Sequence, residues 1–248
     1  MSKRLIILLS GICFLGGLVV LMPANVVWQL VKSNMPGIHL HQVQGTIWSG
    51  RATTLTGLGQ TFNNLNWKIY PAQLFMAKLK IDLDIKDRAH PLKAHIHMDF
   101  DNNIRINNMK GKLPARMLQQ IPAARIVNLE GLFNFEMRQL EIDKKGVQKA
   151  DGIVLLEKAT LSQPIKGYLG NLRFIITSKK ELIHVKIDDV NAPIKIAGNL
   201  NLLKDHRFNF NALLNPTPAA DDFLVSLLRN AARQQTDGRY AIQYNGVY

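Results

Sequence analysis

From residue 38 onward the chain alternates apolar and polar positions with period two. In Leu79-Lys80-Ile81-Asp82-Leu83-Asp84-Ile85, four apolar residues fall on one face and three charges on the other. The pattern returns in residues 94–100, 132–137, 182–187, 194–202 and 208–213. Such runs predict antiparallel strands with one face packed and one face wet. Asp101-Asn102-Asn103, Lys144-Lys145-Gly146, Asp188-Asp189 and Asn215-Pro216 separate them and predict hairpin connections. Short helices are predicted over 71–76 and 114–120, each with Pro near its first turn. A longer one is predicted over 223–234, where Phe223, Leu224, Leu227, Leu228 and Ala231 share a face. Asp237-Gly238 then turns the chain into a last strand over 239–244. Gly45, Gly131, Gly152 and Gly198 are expected to open strands and to mark bends in a curved sheet. The predicted fold is therefore mainly β: a curved antiparallel sheet with a few short helices, preceded by one N-terminal transmembrane helix.

That last element comes from the one place where alternation is absent. Residues 5–22 form an uncharged, largely apolar run of eighteen residues. At about 1.5 Å per residue this reaches across a hydrocarbon core as a helix, the form in which a single segment satisfies its own backbone in lipid. Lys3 and Arg4 precede it, and the next basic residue is Lys32. This bias predicts a cytoplasmic stub at 1–4, a transmembrane helix at 5–22, a juxtamembrane linker at 23–37 and an exported β-rich domain at 38–248. A cleaved signal peptide fits less well, because Met22-Pro23-Ala24 is a poor cleavage site and the apolar run is long. A lipoprotein signal would place a small residue before the cysteine, where Ile12 stands. A pilin-like leader would place an acid within the apolar run, whereas the first acid is Asp82.

Composition adds little to the fold and more to the partners. The formal net charge is +13, and residues 1–81 hold seven basic residues and no acidic one. The basic residues are spread along strands rather than clustered with aromatics, so the excess suits an anionic bilayer surface and not nucleic acid. Cys13 is the single cysteine, so no intramolecular disulfide can form and the domain must rely on its core.

No motif for catalysis is found. Ser49 in Trp48-Ser49-Gly50 lacks the surrounding glycine pattern of a nucleophile elbow, and Gly57-Leu58-Gly59 lacks the third glycine of a phosphate loop. His95 and His97, with Asp99 next in line, share one face of a strand, and His39 and His41 form a second pair. Two histidines and a carboxylate could hold a metal, but they alternate with Ile96, Met98 and Leu40 as the wet face of a strand does. Neither a cofactor nor a metal is expected, and the chain reads as a non-enzyme. Trp48 and Trp67 are expected in the core.

Several of these residues carry a resemblance. Pro23-Ala24, Leu40, the block Val43-x-Gly45-Thr46-Ile47-Trp48-x-Gly50, and Leu65-x-Trp67-x-x-x-Pro71 are similar to the type II (general) secretion system protein N family. The end, with Gly238, Tyr240, Tyr244 and Gly246, is similar too. One departure is Leu155, where members often carry a tryptophan. The resemblance implies a non-catalytic bacterial inner-membrane subunit with its bulk in the periplasm, assisting assembly or contacting other inner-membrane subunits during export of folded proteins. Its motif residues would then be structural or partner-binding: Pro23, Gly45, Thr46, Trp48, Gly50, Trp67, Pro71, Gly238, Tyr240 and Gly246. The alternative is a periplasmic lipid-binding or lipid-transfer module of the AsmA type, with lipid as its ligand. Oligomeric state is not legible.

Overall fold

Period-two alternation becomes one continuous sheet of fifteen strands in the computed structural model, which describes residues 10, 11, 14, 16–57, 59–120, 128–163 and 167–247. The strands are β1 (His39–His41), β2 (Gln44–Gly45), β3 (Ser49–Gly57), β4 (Gln60–Ile69), β5 (Lys78–Ile85), β6 (Leu92–Asp99), β7 (Ile104–Pro114) and β8 (Asn128–Asp143). They continue as β9 (Gly146–Gln163), β10 (Gly167–Ser178), β11 (Leu182–Val190), β12 (Ile194–Leu203), β13 (Arg207–Pro216), β14 (Arg233–Gln234) and β15 (Tyr240–Val247). From β3 to β13 each strand pairs antiparallel with the next in sequence. β15 follows β13, short β14 lies outside β15, and β1 and β2 both pair with β3. The sheet is open, with β1 and β14 at its ends.

Beyond the N-terminal segment the helices of the described residues are few and short: α1 (Ala24–Val31), α2 (Pro71–Leu74) and α3 (Asp222–Ala231). Three expectations need correction here. Pro114 ends β7, and residues Ala115–Gln120 wind as a 3-10 helix, because a proline at a strand end needs no ladder N–H. The helix expected over 223–234 stops at Ala231, and Arg233 and Gln234 instead pair with Ala241 and Tyr240 as β14. Gly131, Gly152 and Gly198 lie inside β8, β9 and β12 rather than opening them. Gly131 has φ +132° at a register shift between Glu130 and Leu132, which is a bulge within a longer strand.

Bulges also account for the curvature. Asn108 and Lys158 have positive φ, and the strand register shifts at each of them. An extra residue bends its strand and increases its twist. The bend brings distant turns together. A Cβ built on Gly146, in the β8–β9 turn, would lie 3.9 Å from His206 Cε1 in the β12–β13 turn. At about 4.8 Å per strand a flat sheet would hold these turns at least 14 Å apart. Likewise Arg116, just past β7, donates to Gln60 Oε1 at the start of β4, at 2.9 Å.

The inside of this curve is the apolar face. Phe135, Met137, Ala150, Ile183 and Val185 form one buried cluster. Ala52, Phe62, Leu65 and Ile85 form another near the first strands. Ile194, Leu214 and Tyr240 form a third beneath Leu228 of α3. Leu228 thus faces the sheet as its pattern predicts, whereas the side chains of Phe223, Leu224, Leu227 and Ala231 lie outside the described set. Around the central cluster Phe133, Val154, Phe174 and Leu200 stay only half-buried. The sheet covers its apolar face mainly by curling over it.

The expected transmembrane segment is only partly described, since residues 1–9, 12, 13 and 15 lie outside the described set. Residues 16–20 are helical, and the chain leaves that helix through a turn at Leu21. Among the described residues no helix is long and apolar enough to cross a membrane.

Candidate functional site

Seven of the ten singled-out residues gather where the N-terminal helix meets the first strands. The carbonyls at the end of a helix lack intrahelical partners and must find others. Here the β2–β3 connection supplies them. Trp48 Nε1–H donates to the Val19 carbonyl at 2.9 Å, and the Ile47 N–H donates to the Met22 carbonyl at 3.1 Å. Pro23 ends the segment in an extended conformation and forms an isolated antiparallel bridge with Thr46. α1 then begins, with Ala24 buried.

The connection itself is tight. The Thr46 N–H donates to the Ser49 carbonyl at 3.0 Å, and the Ser49 N–H returns to Thr46 Oγ1 at 3.2 Å. Gly45 has φ +88°, and a Cβ on it would lie 2.6 Å from the Ser49 carbonyl oxygen. Gly50 sits directly across from Trp67 in the β3–β4 register, and the indole lies over it. A Cβ on Gly50 would meet Trp67 Cζ2 at 2.3 Å. Trp67 Nε1–H in turn donates to the Ile47 carbonyl at 3.1 Å, and the Ile69 N–H donates to the Trp48 carbonyl at 2.7 Å. Two indoles therefore flank one short connection, one reaching out to the helix and the other clamping the connection to β4. Pro71 follows two residues after Ile69 as the first residue of α2. Both indoles are half-buried, Trp67 packing against the cluster of Ala52, Phe62, Leu65 and Ile85 and Trp48 engaged by its N–H, which corrects the expectation that both are core residues. Its long-range bond spans 29 residues, and no local pattern signals it.

Gly238, Tyr240 and Gly246 belong elsewhere. Gly238, at φ +85°, forms the turn between β14 and β15. Tyr240 is buried against Ile194, Leu214 and Leu228. Gly246 lies beneath the Phe208 ring, which also contacts Tyr244 at 5.7 Å between centroids. These three close the far end of the sheet and do not join the junction.

On the wet face Asp82 and His95 come together. They are direct register partners on β5 and β6, and His95 Nδ1 lies 2.7 Å from Asp82 Oδ1. Tyr70 Oη–H donates to Asp82 Oδ2 at 2.6 Å. Burial pushes the Asp82 carboxyl up, but the bonds from His95 and Tyr70 outweigh it and the carboxyl titrates below its ordinary range. The same bond to Asp82 raises the Tyr70 hydroxyl. Lys80 and Lys68 place their ammonium groups 4.5 and 5.1 Å from the Tyr70 ring centre, a cation–π arrangement. His97 faces the same way, and burial, with Lys80 and Arg105 nearby, lowers its pKa. Among the described residues no serine or cysteine bonds to either imidazole, and no three potential metal ligands converge. His39 and His41 are exposed on the edge strand β1. Both oxygens of Asp82 are occupied, so this cluster stitches β4, β5 and β6 together.

Comparison with known proteins decides what such a junction belongs to. Residues 36–243 match the family model described as type II secretion system (T2SS), protein N. The chain belongs to the type II secretion system protein N family. The matched stretch holds Gly45, Thr46, Trp48, Gly50, Trp67, Pro71, Gly238 and Tyr240, while Pro23 and Gly246 lie outside it. The type II secretion system protein N of Vibrio cholerae serotype O1 is 22% identical over 253 residues, covering 96% of each chain. The protein of that name from Aeromonas hydrophila is 21% identical over 250 residues, covering 99% of this chain and 98% of its own. No solved structure matches. Membership makes this chain a component of the type II secretion apparatus, a protein-transport machine.

Proposed function

We propose that the chain is a non-catalytic inner-membrane subunit of that apparatus, anchored by residues 5–22 with residues 1–4 in the cytoplasm. Residues 38–248 then form a periplasmic domain that works by contact with other inner-membrane subunits. The observation that carries this reading is the open outer edge of β15. β14 pairs only with Tyr240 and Ala241, so, among the described residues, 242–247 have β13 on one side and no strand on the other. Unpaired N–H and C=O groups along an edge are a template for strand addition by a partner. The junction at Trp48 supports the reading from the other end, because it ties the apolar helix rigidly to the first strands.

The lipid-handling alternative is not favoured. Both relatives carry secretion names.

The test is photocrosslinking in cells from residues Gln243 and Asn245. Adducts with other secretion subunits are expected. Adducts with lipid alone, or normal secretion of type II substrates after deletion of the gene, would overturn the proposal.

A further inference from the structure

Because every strand from β3 to β13 runs antiparallel to its neighbour, alternate turns collect on one rim of the sheet. The rim that receives the N-terminal helix at Trp48 also carries the β4–β5, β6–β7, β8–β9, β10–β11 and β12–β13 turns. What those turns expose is unusual for a water-facing rim. In the first, Leu74, Phe75 and Met76 are 40, 93 and 62% exposed, and in the second Phe100 is 77% exposed. The next three present Lys144, Lys145, Lys179, Lys180 and Lys204, all exposed. Among the described residues none of these lysines forms an ion pair. The exposed acids of the turns are Asp101, Glu181 and Asp205, and Asp205 is already held by Arg207. Leu18, Val20 and Leu21, on the helix side of the junction, are exposed as well.

We propose that this rim rests on an anionic phospholipid surface, with Phe75, Met76 and Phe100 in the headgroup boundary and the turn lysines on the phosphates. Aromatic and aliphatic tips flanked by unpaired lysines are the chemistry of interfacial attachment, where apolar side chains enter the boundary by about 5–10 Å and basic groups are drawn to negative headgroups. Continuity with the apolar helix selects a bilayer over a protein partner, because both features meet the sheet at the same rim. The inference rests on the anchored reading above. Its geometric consequence is that the strands stand up from the membrane, so the open edge of β15 faces sideways, toward neighbours in the same bilayer.

The test uses the full chain in vesicles of phosphatidylcholine with one-third phosphatidylglycerol. Spin labels are placed singly through Phe75→Cys, Phe100→Cys, Leu18→Cys and Arg88→Cys in a Cys13→Ser background, with Arg88 marking the opposite rim. Labels at 75 and 100 are expected to collide severalfold more with oxygen than with a water-soluble nickel reagent, and the label at 88 the reverse. Replacing Lys144, Lys145, Lys179 and Lys180 by Glu should move the labels at 75 and 100 back toward water. If those labels meet the nickel reagent freely while the label at 18 is in lipid, the rim proposal falls and the anchor stands. If the label at 18 is in water too, the anchored reading falls with it. Labels at 75 and 100 shielded from both reagents would mean a protein covers the rim, which also overturns the proposal.

Discussion

Replacing Gly50 by Ala tests whether the junction is held by steric fit. A methyl group there would lie 2.3 Å from Trp67 Cζ2, 2.7 Å from Cε2 and 2.8 Å from the Gln44 carbonyl oxygen. Relief is blocked on both sides. The Gln44 oxygen is backbone within β2, and the indole is tethered through Nε1 to the Ile47 carbonyl. If the indole tilts away, that bond is lost, at a net cost of about 1 kcal/mol. The remaining overpacking costs a further 1–3 kcal/mol or so. We therefore expect Gly50→Ala to destabilise the protein by roughly 2–4 kcal/mol, a fall of about 1–2 M in urea midpoint. The assay is urea unfolding of the full chain in detergent, followed by far-ultraviolet circular dichroism. In a Trp67→Leu background the same substitution loses its main clash, and its cost should drop by about 1–3 kcal/mol. A cost below about 0.5 kcal/mol in the wild-type background, or equal costs in both backgrounds, would refute the reasoning.

The other expectations concern single contacts. Trp48→Phe keeps a ring but removes the donor to Val19, so amide exchange at residues 19–22 and at Ile47 should quicken, while the urea midpoint falls by no more than about 1 kcal/mol equivalent. Asp87 accepts from the Asn63 N–H and Nδ2–H and from the Ala89 and His90 N–H groups, all within 3.0 Å. Asp87→Ala strands those backbone donors at a cost of about 2–4 kcal/mol, measured in the same unfolding assay. Burial pushes the Asp87 carboxyl up, but these bonds outweigh it and hold the carboxyl low. Its stabilisation is complete above about pH 4 and is lost as pH falls through the depressed folded value, so Asp87→Ala should show a shallower acid loss than wild type. His97 has a lowered pKa, first through burial and then through Lys80 and Arg105. The unfolded chain binds that proton more readily, so stability should start to fall as pH drops below about 6.5, and His97→Gln should remove this step from a pH series of urea midpoints.

Strand-forming segments were legible wherever alternation ran uninterrupted. Residues 79–85 predict β5, observed as Lys78–Ile85, because four apolar positions share one face, on which Ile85 is buried and the others half-buried. The longest strands were read too short: the pattern over 132–137 marks only the middle of Asn128–Asp143. Gly131 and the irregularity at Arg138 shift the register there, and a period-two pattern loses phase at each shift. The helix end over 232–234 was misplaced for a tertiary reason, since Arg233 and Gln234 gain ladder partners that local propensity cannot foresee. The junction was half legible. The glycines and tryptophans were singled out, and pairing Gly50 with Trp67 follows once β3 and β4 are read as a hairpin, because an aromatic ring commonly covers a facing glycine. The bond from Trp48 to Val19 was not legible, because it depends on where a helix ends relative to a sheet.

The neighbour-to-neighbour order of the strands from β3 to β13 bears on how the molecule comes into being. A chain is synthesised from its N-terminus, and here β3 and β4 can pair as soon as both exist, completing the clasp on the helix before any later strand is made. Each following hairpin finds its template already in place. Such short-range pairing avoids the slow closure of long loops and shortens the time that unpaired edges stand open to aggregation. From β3 to β13 each new strand becomes the edge on which the next one pairs, and β15 then joins the sheet beside β13. The surface proposed for partners thus lies on a strand that can dock only once β13 is in place, so it becomes complete only after the strands before it have paired.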